Sequence, residues 1–125
     1  MKRFDKILII LITLHSVGVG IVLMFFPEWS AGFGGWGKLD YYFFIRQSGI
    51  FHLVLAMGYM LEYLKYNSVY LLVTAKTTAF VFLIITWIFY SEPWAVPFSA
   101  IADGLMGLVV YIVHGKSISA APDFS

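Results

Sequence analysis

Four stretches of the chain, 7–26, 43–64, 69–90 and 96–114, are almost wholly apolar, and polar or turn-forming residues separate them. About 20 apolar residues suffice for a transmembrane helix, which covers about 30 Å at 1.5 Å per residue. The pattern predicts an all-α fold. It is an integral-membrane, antiparallel up-down four-helix bundle forming one domain over 1–114, with a disordered tail over 115–125. The turn from Lys65 to Ser68 is short, so the second and third segments should form a tight hairpin. The link from Ser91 to Ala95 contains Pro93, and Pro97 follows in the first turn of the fourth segment, where its missing N–H costs nothing. The link over 27–42 is longer and mixes Trp29, Phe33 and Trp36 with Gly32, Gly34, Gly35 and Gly37. Aromatic rings favour the headgroup layer, and glycines disfavour a long regular helix. A short interfacial segment is expected there, as a lid over the outer mouth or simply an anchored loop. Trp87, Tyr90 and Trp94 should form an aromatic belt at the same end.

Basic residues set the orientation. With the N-terminus in the cytoplasm, Lys2, Arg3, Lys6, Lys65 and Lys116 all fall on the inner side, and of the loop residues only Lys38 falls outside. Both termini are then cytoplasmic, and the expected location is a bacterial inner membrane. The first segment is read as a span and not as a cleaved leader, because it is long and no small-x-small cleavage site follows it.

Composition agrees with the pattern. The chain is 61% hydrophobic and 12% charged, whereas a soluble domain is about half apolar and a quarter charged. A net charge of +1 offers no basis for a nucleic-acid partner. The absence of cysteine rules out disulfides, thiolate metal sites and dithiol redox chemistry carried by this chain.

Helical periodicity indicates which faces turn inward. In the fourth segment Ala100, Asp103, Gly104, Gly107, Tyr111 and His114 share an arc of about 100°. Small residues on one stripe let helices approach closely in lipid, so Gly49, Gly104 and Gly107 are packing candidates. The second segment aligns Arg46, Gly49, His52, Ala56, Tyr59 and Tyr63. The third aligns Lys76, Phe80, Leu83, Trp87 and Tyr90, and the first places His15 and Gly18 on an otherwise aliphatic face.

A charge at membrane depth must be paired, reach water or snorkel, since insertion of an uncompensated one costs at least about 2.5 kcal/mol. Arg46 and Asp103 lie at depths differing by roughly 4 Å at 1.5 Å per residue, so an Arg46–Asp103 pair is expected in the outer third of the bundle. It would either fix helix register or orient a polar ligand group. Glu62 and Lys76 flank the inner turn as a second expected pair, with the inner headgroups as the alternative partner of Lys76. His15 and His52 lie near mid-membrane on separate helices. They are read as neutral hydrogen-bonded residues, as ligand or proton-relay contacts, or as ligands of a haem iron or metal ion. No other metal spacing, nucleophile elbow or phosphate loop is present, and no cofactor is evident from motifs. Small multidrug exporters carry an acid in their first helix, and the first apolar segment here holds only His15.

Pro27-Glu28 at the end of the first helix, the aromatic glycine-containing loop, Arg46-x-x-Gly49 opening the second helix and Asp103-Gly104 in the fourth form an ordered set. This arrangement resembles the DoxX-like group of small four-helix membrane proteins. The resemblance implies the fold, with Arg46, Gly49 and Asp103 as shared positions. Some members of that group are membrane subunits of quinone-linked oxidoreductases, and others assist assembly of membrane proteins. Two functions are therefore carried forward. In one, a lipophilic molecule with a polar head, quinone- or lipid-like, sits among Arg46, His52, Tyr59, Lys76, Phe80, Trp87, Asp103 and Tyr111. In the other, the chain is a structural or assembly subunit, or a homo-oligomer, with no ligand of its own. No side chain here carries electrons, so any redox step would need a cofactor or a partner subunit.

Overall fold

In the computed structural model, which describes residues 2–119, the chain folds into five helices with no strand among the described residues. They are α1 (Lys2–Phe25), α2 (Pro27–Gly34), α3 (Phe43–Tyr66), α4 (Tyr70–Tyr90) and α5 (Ala95–Ser119). All but α2 are long and apolar enough to cross a membrane. The chain is a multi-pass membrane protein built as a four-helix bundle, with the short α2 added at one end.

Each boundary has a local cause. Pro27 opens α2 because its fixed φ suits the first helical turn. Gly35 closes α2 at φ 101°, and its own N–H and that of Trp36 return to the carbonyls of Gly32 and Ala31. That left-handed closure is one that glycine adopts freely. Asn67 ends α3 in the same way at φ 50°, its N–H donating to the Tyr63 carbonyl at 2.9 Å. The link over 27–42 thus contains a true helix, shorter than the segment it bridges.

Two expected ends move. α1 begins at Lys2 instead of residue 7, because Asp5 is fully buried and its turn belongs to the bundle. α5 runs to Ser119, so residues 115–119 of the expected disordered tail are helical. Buried His114 and Ser117 hold that last stretch against the other helices. Residues 120–125 of the expected tail lie outside the described residues.

The helices associate as two pairs, α1 with α3 and α4 with α5. Glycine explains the first pair. Ser16 donates its Oγ hydrogen to the His52 carbonyl at 2.8 Å. One turn further on, a Cβ placed on either Gly20 or Gly49 would lie 2.7 Å from the other residue's carbonyl oxygen. Backbone cannot yield as a side chain can, so Gly49→Ala is expected to destabilise the protein by about 1–3 kcal/mol, the range for overpacking. Gly18→Ala, on a face with nothing within 4 Å, should stay within about 0.5 kcal/mol of the parent. Unfolding by sodium dodecyl sulfate titration in mixed micelles separates the two, and equal effects would dispose of the close approach.

The two pairs meet at the end that carries the termini. There Ile9, Ile12, Tyr59, Tyr63, Leu72 and Val110 form the apolar core. Toward the α2 end burial thins out. Past Lys76, α4 has no buried residue, and in the α2-proximal half of α3 only Gly49 is buried. α2 lies across this less closed end. Trp94 donates its indole N–H to the Phe33 carbonyl at 3.0 Å, and the Phe33 ring meets Trp94 edge-on at 5.4 Å.

Candidate functional site

The membrane-depth charges are organised by the α4/α5 seam. The two helices run antiparallel, and two notches on α5 receive two side chains of α4. A Cβ at Gly107 would lie 3.0 Å from Lys76 Cβ, and one at Gly104 would lie 2.7 Å from the Phe80 ring. Lys76 and Phe80 are one turn apart on α4 and so share a face. The Lys76 side chain passes Gly107 and ends on Asp103, which lies one turn further along α5 on the same stripe. Nζ donates to Asp103 Oδ1 at 3.0 Å. The two side chains are 7% and 19% exposed, so the ammonium is enclosed while the carboxylate stays partly open.

This geometry corrects both expected ion pairs. Asp103 pairs with Lys76 and not with Arg46. α3 packs mainly on α1, and α5 on α4, so Arg46 lies on a helix that is not the principal neighbour of α5. Arg46 is exposed near the start of α3, beside Pro27, Glu28 and Trp29. Glu62 does not pair with Lys76 either. Its carboxylate accepts the Ser68 hydroxyl and the Leu71 N–H, each at 2.8 Å. It thereby caps the first turn of α4 from the preceding helix, satisfying a donor that has no partner within its own helix.

Two other residues singled out from the sequence, Tyr59 and His15, lie near enough to the Lys76–Asp103 pair to feel its charges, and His52 lies near His15. Tyr59 is buried on α3 and feels the Asp103 charge. His15, on α1, lies within the fields of Lys76, Asp103 and His52 yet is exposed. His52 is half-buried, and its Nδ1 lies 2.8 Å from the Ser48 carbonyl. A carbonyl only accepts, so Nδ1 carries the hydrogen and Nε2 is left as an acceptor. No cluster of three or more metal-ligating side chains occurs among the described residues.

The remaining candidates sit elsewhere. Phe80 and Tyr111 line a groove of about 560 Å³ on the flank of the α4/α5 pair, together with Val73, Thr77, Ile101 and Leu105. Trp87 borders a shallow recess near Glu92 at the end of α4. The single ligand cavity expected from the sequence is thus divided into a central polar cluster, an apolar flank groove and recesses at the α2 end.

A second ionic network lies at the other end of the bundle, and sequence periodicity did not single out its acid. Asp5 is 0% exposed. Its Oδ2 accepts the Tyr63 hydroxyl at 3.0 Å and lies 2.9 Å from His114 Nδ1, while His114 Nε2 lies 3.0 Å from the Asn67 carbonyl. Nε2 must carry a hydrogen to meet that carbonyl, and one further proton bridges the Asp5–His114 contact. The network joins α1, α3, the α3–α4 turn and α5. A signal for it exists in the sequence, since Asp5, Ile9, Ile12, Ser16 and Gly20 recur at helical spacing and are all buried.

Set against known proteins, the chain matches no family model, no curated protein and no solved structure.

Proposed function

We propose that the chain binds a lipophilic molecule with a polar head between its two helix pairs, the head resting against Lys76 and Asp103 with His15, His52 and Tyr59 beside it. The observation that carries this reading is the asymmetry of the ion pair. A pair serving only to join helices gains by being sealed on both sides. Here the lysine is enclosed, but the carboxylate and His15 remain accessible at membrane depth. Polar atoms left accessible to hydrocarbon are costly unless something bonds to them. Lys76 has used one of its three donors, and Asp103 Oδ2 and the ring nitrogens of His15 have no protein partner among the described residues. The cluster therefore offers donors and acceptors together, which suits the carbonyl or hydroxyl head of a quinone-like molecule or the ester region of a lipid. The sparse burial toward the α2 end provides lateral access from that leaflet.

The resemblance to DoxX-like proteins points the same way, because some of them are membrane subunits of quinone-linked oxidoreductases. In such a system this chain would position the head and its protons, and a partner would supply the electrons. The basic residues Lys2, Arg3, Lys6, Lys65 and Lys116 gather at the end with the termini, which supports a cytoplasmic orientation of that end, with α2 on the far side, in the bacterial inner membrane proposed for the chain. The flank groove favours a second reading, that of an assembly or interaction subunit, with the groove taking a helix of a protein partner.

Native mass spectrometry of the chain in mild detergent separates these readings. A retained lipophilic mass that is lost in Asp103→Asn, at unchanged helix content, is the expected result. An apo chain with a stoichiometric protein partner would replace the first reading with the second.

A further inference from the structure

Arg46 and Glu28 are two of the charges that the central cluster leaves unused, and they open into one recess of about 530 Å³ at the α2 end. Glu28 belongs to the first turn of α2, and Arg46 lies one turn beyond Tyr42, the residue just before α3. Both are exposed, both line the recess, and no salt bridge joins them to each other or to any other described residue. At a surface loop in water that would mean little. Here the recess is bordered by Phe25, Phe26 and Trp29, all strongly exposed, which places it at the boundary between hydrocarbon and headgroups. Glu28 and Trp29, which line the recess, also lie in the first turn of α2, and Phe26 supplies no side-chain cap for their N–H groups. A guanidinium and uncapped helical N–H groups favour a phosphate. The Glu28 carboxylate lining the same recess favours an ammonium group.

We infer that this recess is a binding site for the headgroup of a zwitterionic phospholipid of the ethanolamine type, the phosphate on Arg46 and the primary ammonium on Glu28, with the acyl chains leaving past Phe25 and Phe26. A primary ammonium donates hydrogen bonds to a carboxylate, and a quaternary one does not. Recognition of a quaternary head requires open aromatic faces, and one face of Trp29 is covered by the Phe33 ring stacked on it at 5.0 Å. An anionic head without the ammonium would meet the Glu28 carboxylate unfavourably. This site lies apart from the Lys76–Asp103 cluster and does not depend on what that cluster binds.

The test uses the full chain in mild detergent with an equimolar mixture of phosphatidylethanolamine, phosphatidylcholine and phosphatidylglycerol, and counts retained lipids by native mass spectrometry. Ethanolamine lipid should be retained about fivefold over each of the others, the scale of one accessible charge pair. Arg46→Gln should reduce retention of all three to a common low level. Glu28→Gln should abolish the preference for ethanolamine over glycerol headgroups while keeping phosphate-dependent binding. Both side chains are exposed, so helix content should not change, and circular dichroism checks that. Soluble glycerophosphoethanolamine, added in excess, should not displace the lipid, because the chains contribute to binding. Equal retention of the three lipids by the parent chain, selectivity that survives both substitutions, or displacement by the soluble head would each overturn the assignment. None of these results bears on a ligand lost through Asp103→Asn, so the two sites succeed or fail separately.

Discussion

Replacing His114 by alanine should lower the unfolding free energy by about 3–5 kcal/mol, the cost of breaking a buried ion pair from one side. Asp5 is completely enclosed, and its Oδ1 already has no hydrogen-bond partner. Oδ2 relies on the Tyr63 hydroxyl and the His114 ring. Without the imidazole, a carboxylate stays in the bundle interior with one neutral donor. The turn at Asn67 also loses the Nε2–H that satisfies its carbonyl. Asp5→Asn should cost less, about 1–3 kcal/mol, because the amide oxygen still accepts from Tyr63 while the charge is removed. Removing both partners in Asp5→Ala/His114→Ala should cost clearly less than the sum of the two single alanine changes, because neither polar group is then stranded. Titration with sodium dodecyl sulfate, followed by helicity, measures all four. A His114→Ala variant within about 0.5 kcal/mol of the parent would mean that the network at the terminal end does not hold the two helix pairs together.

Apolar run lengths sufficed for the architecture, because lipid forces every spanning backbone to satisfy itself within a helix. Four runs of 20 or so residues leave little freedom beyond their order and direction. The stripe of Asp103, Gly107 and His114 was also readable, since small and polar residues on one face of an apolar helix must turn inward. Partner choice was not readable. Depth along the axis made Arg46 a candidate for Asp103, but depth says nothing about which helix stands beside which. The pairing of α1 with α3 follows from Gly20 meeting Gly49, and Gly20 lies among Val and Ile where no count of polar residues points to it. Asp5 was hidden for another reason. With Lys2, Arg3 and Lys6 around it, it has the composition of a solvated charge cluster, and only its register with Ile9 and Ile12 distinguishes it. Glu62 shows the same limit at short range: the carboxylate stays local and caps α4.

Lys76→Met should also destabilise strongly, and its combination with Asp103→Leu should recover most of the loss. The single change strands the Asp103 carboxylate at membrane depth, at a cost of up to about 3–5 kcal/mol, reduced by whatever access the 19% exposed side chain has to polar groups. Methionine matches the length of the lysine stem, so the contact with Gly107 is kept, and the measured effect belongs to the charge. In the double variant two apolar side chains replace the pair. An ion pair that merely joins helices is commonly replaceable in this way without net loss. Stability should therefore return to within about 1 kcal/mol of the parent. The retained lipophilic molecule should not return, because no donor or acceptor remains for its head. That dissociation of stability from occupancy is what a binding role for the pair requires. A double variant that is stable and still carries the molecule would remove Lys76 and Asp103 from the site. One that stays as unstable as Lys76→Met would show that the seam depends on charge, with the pair serving the fold before any ligand.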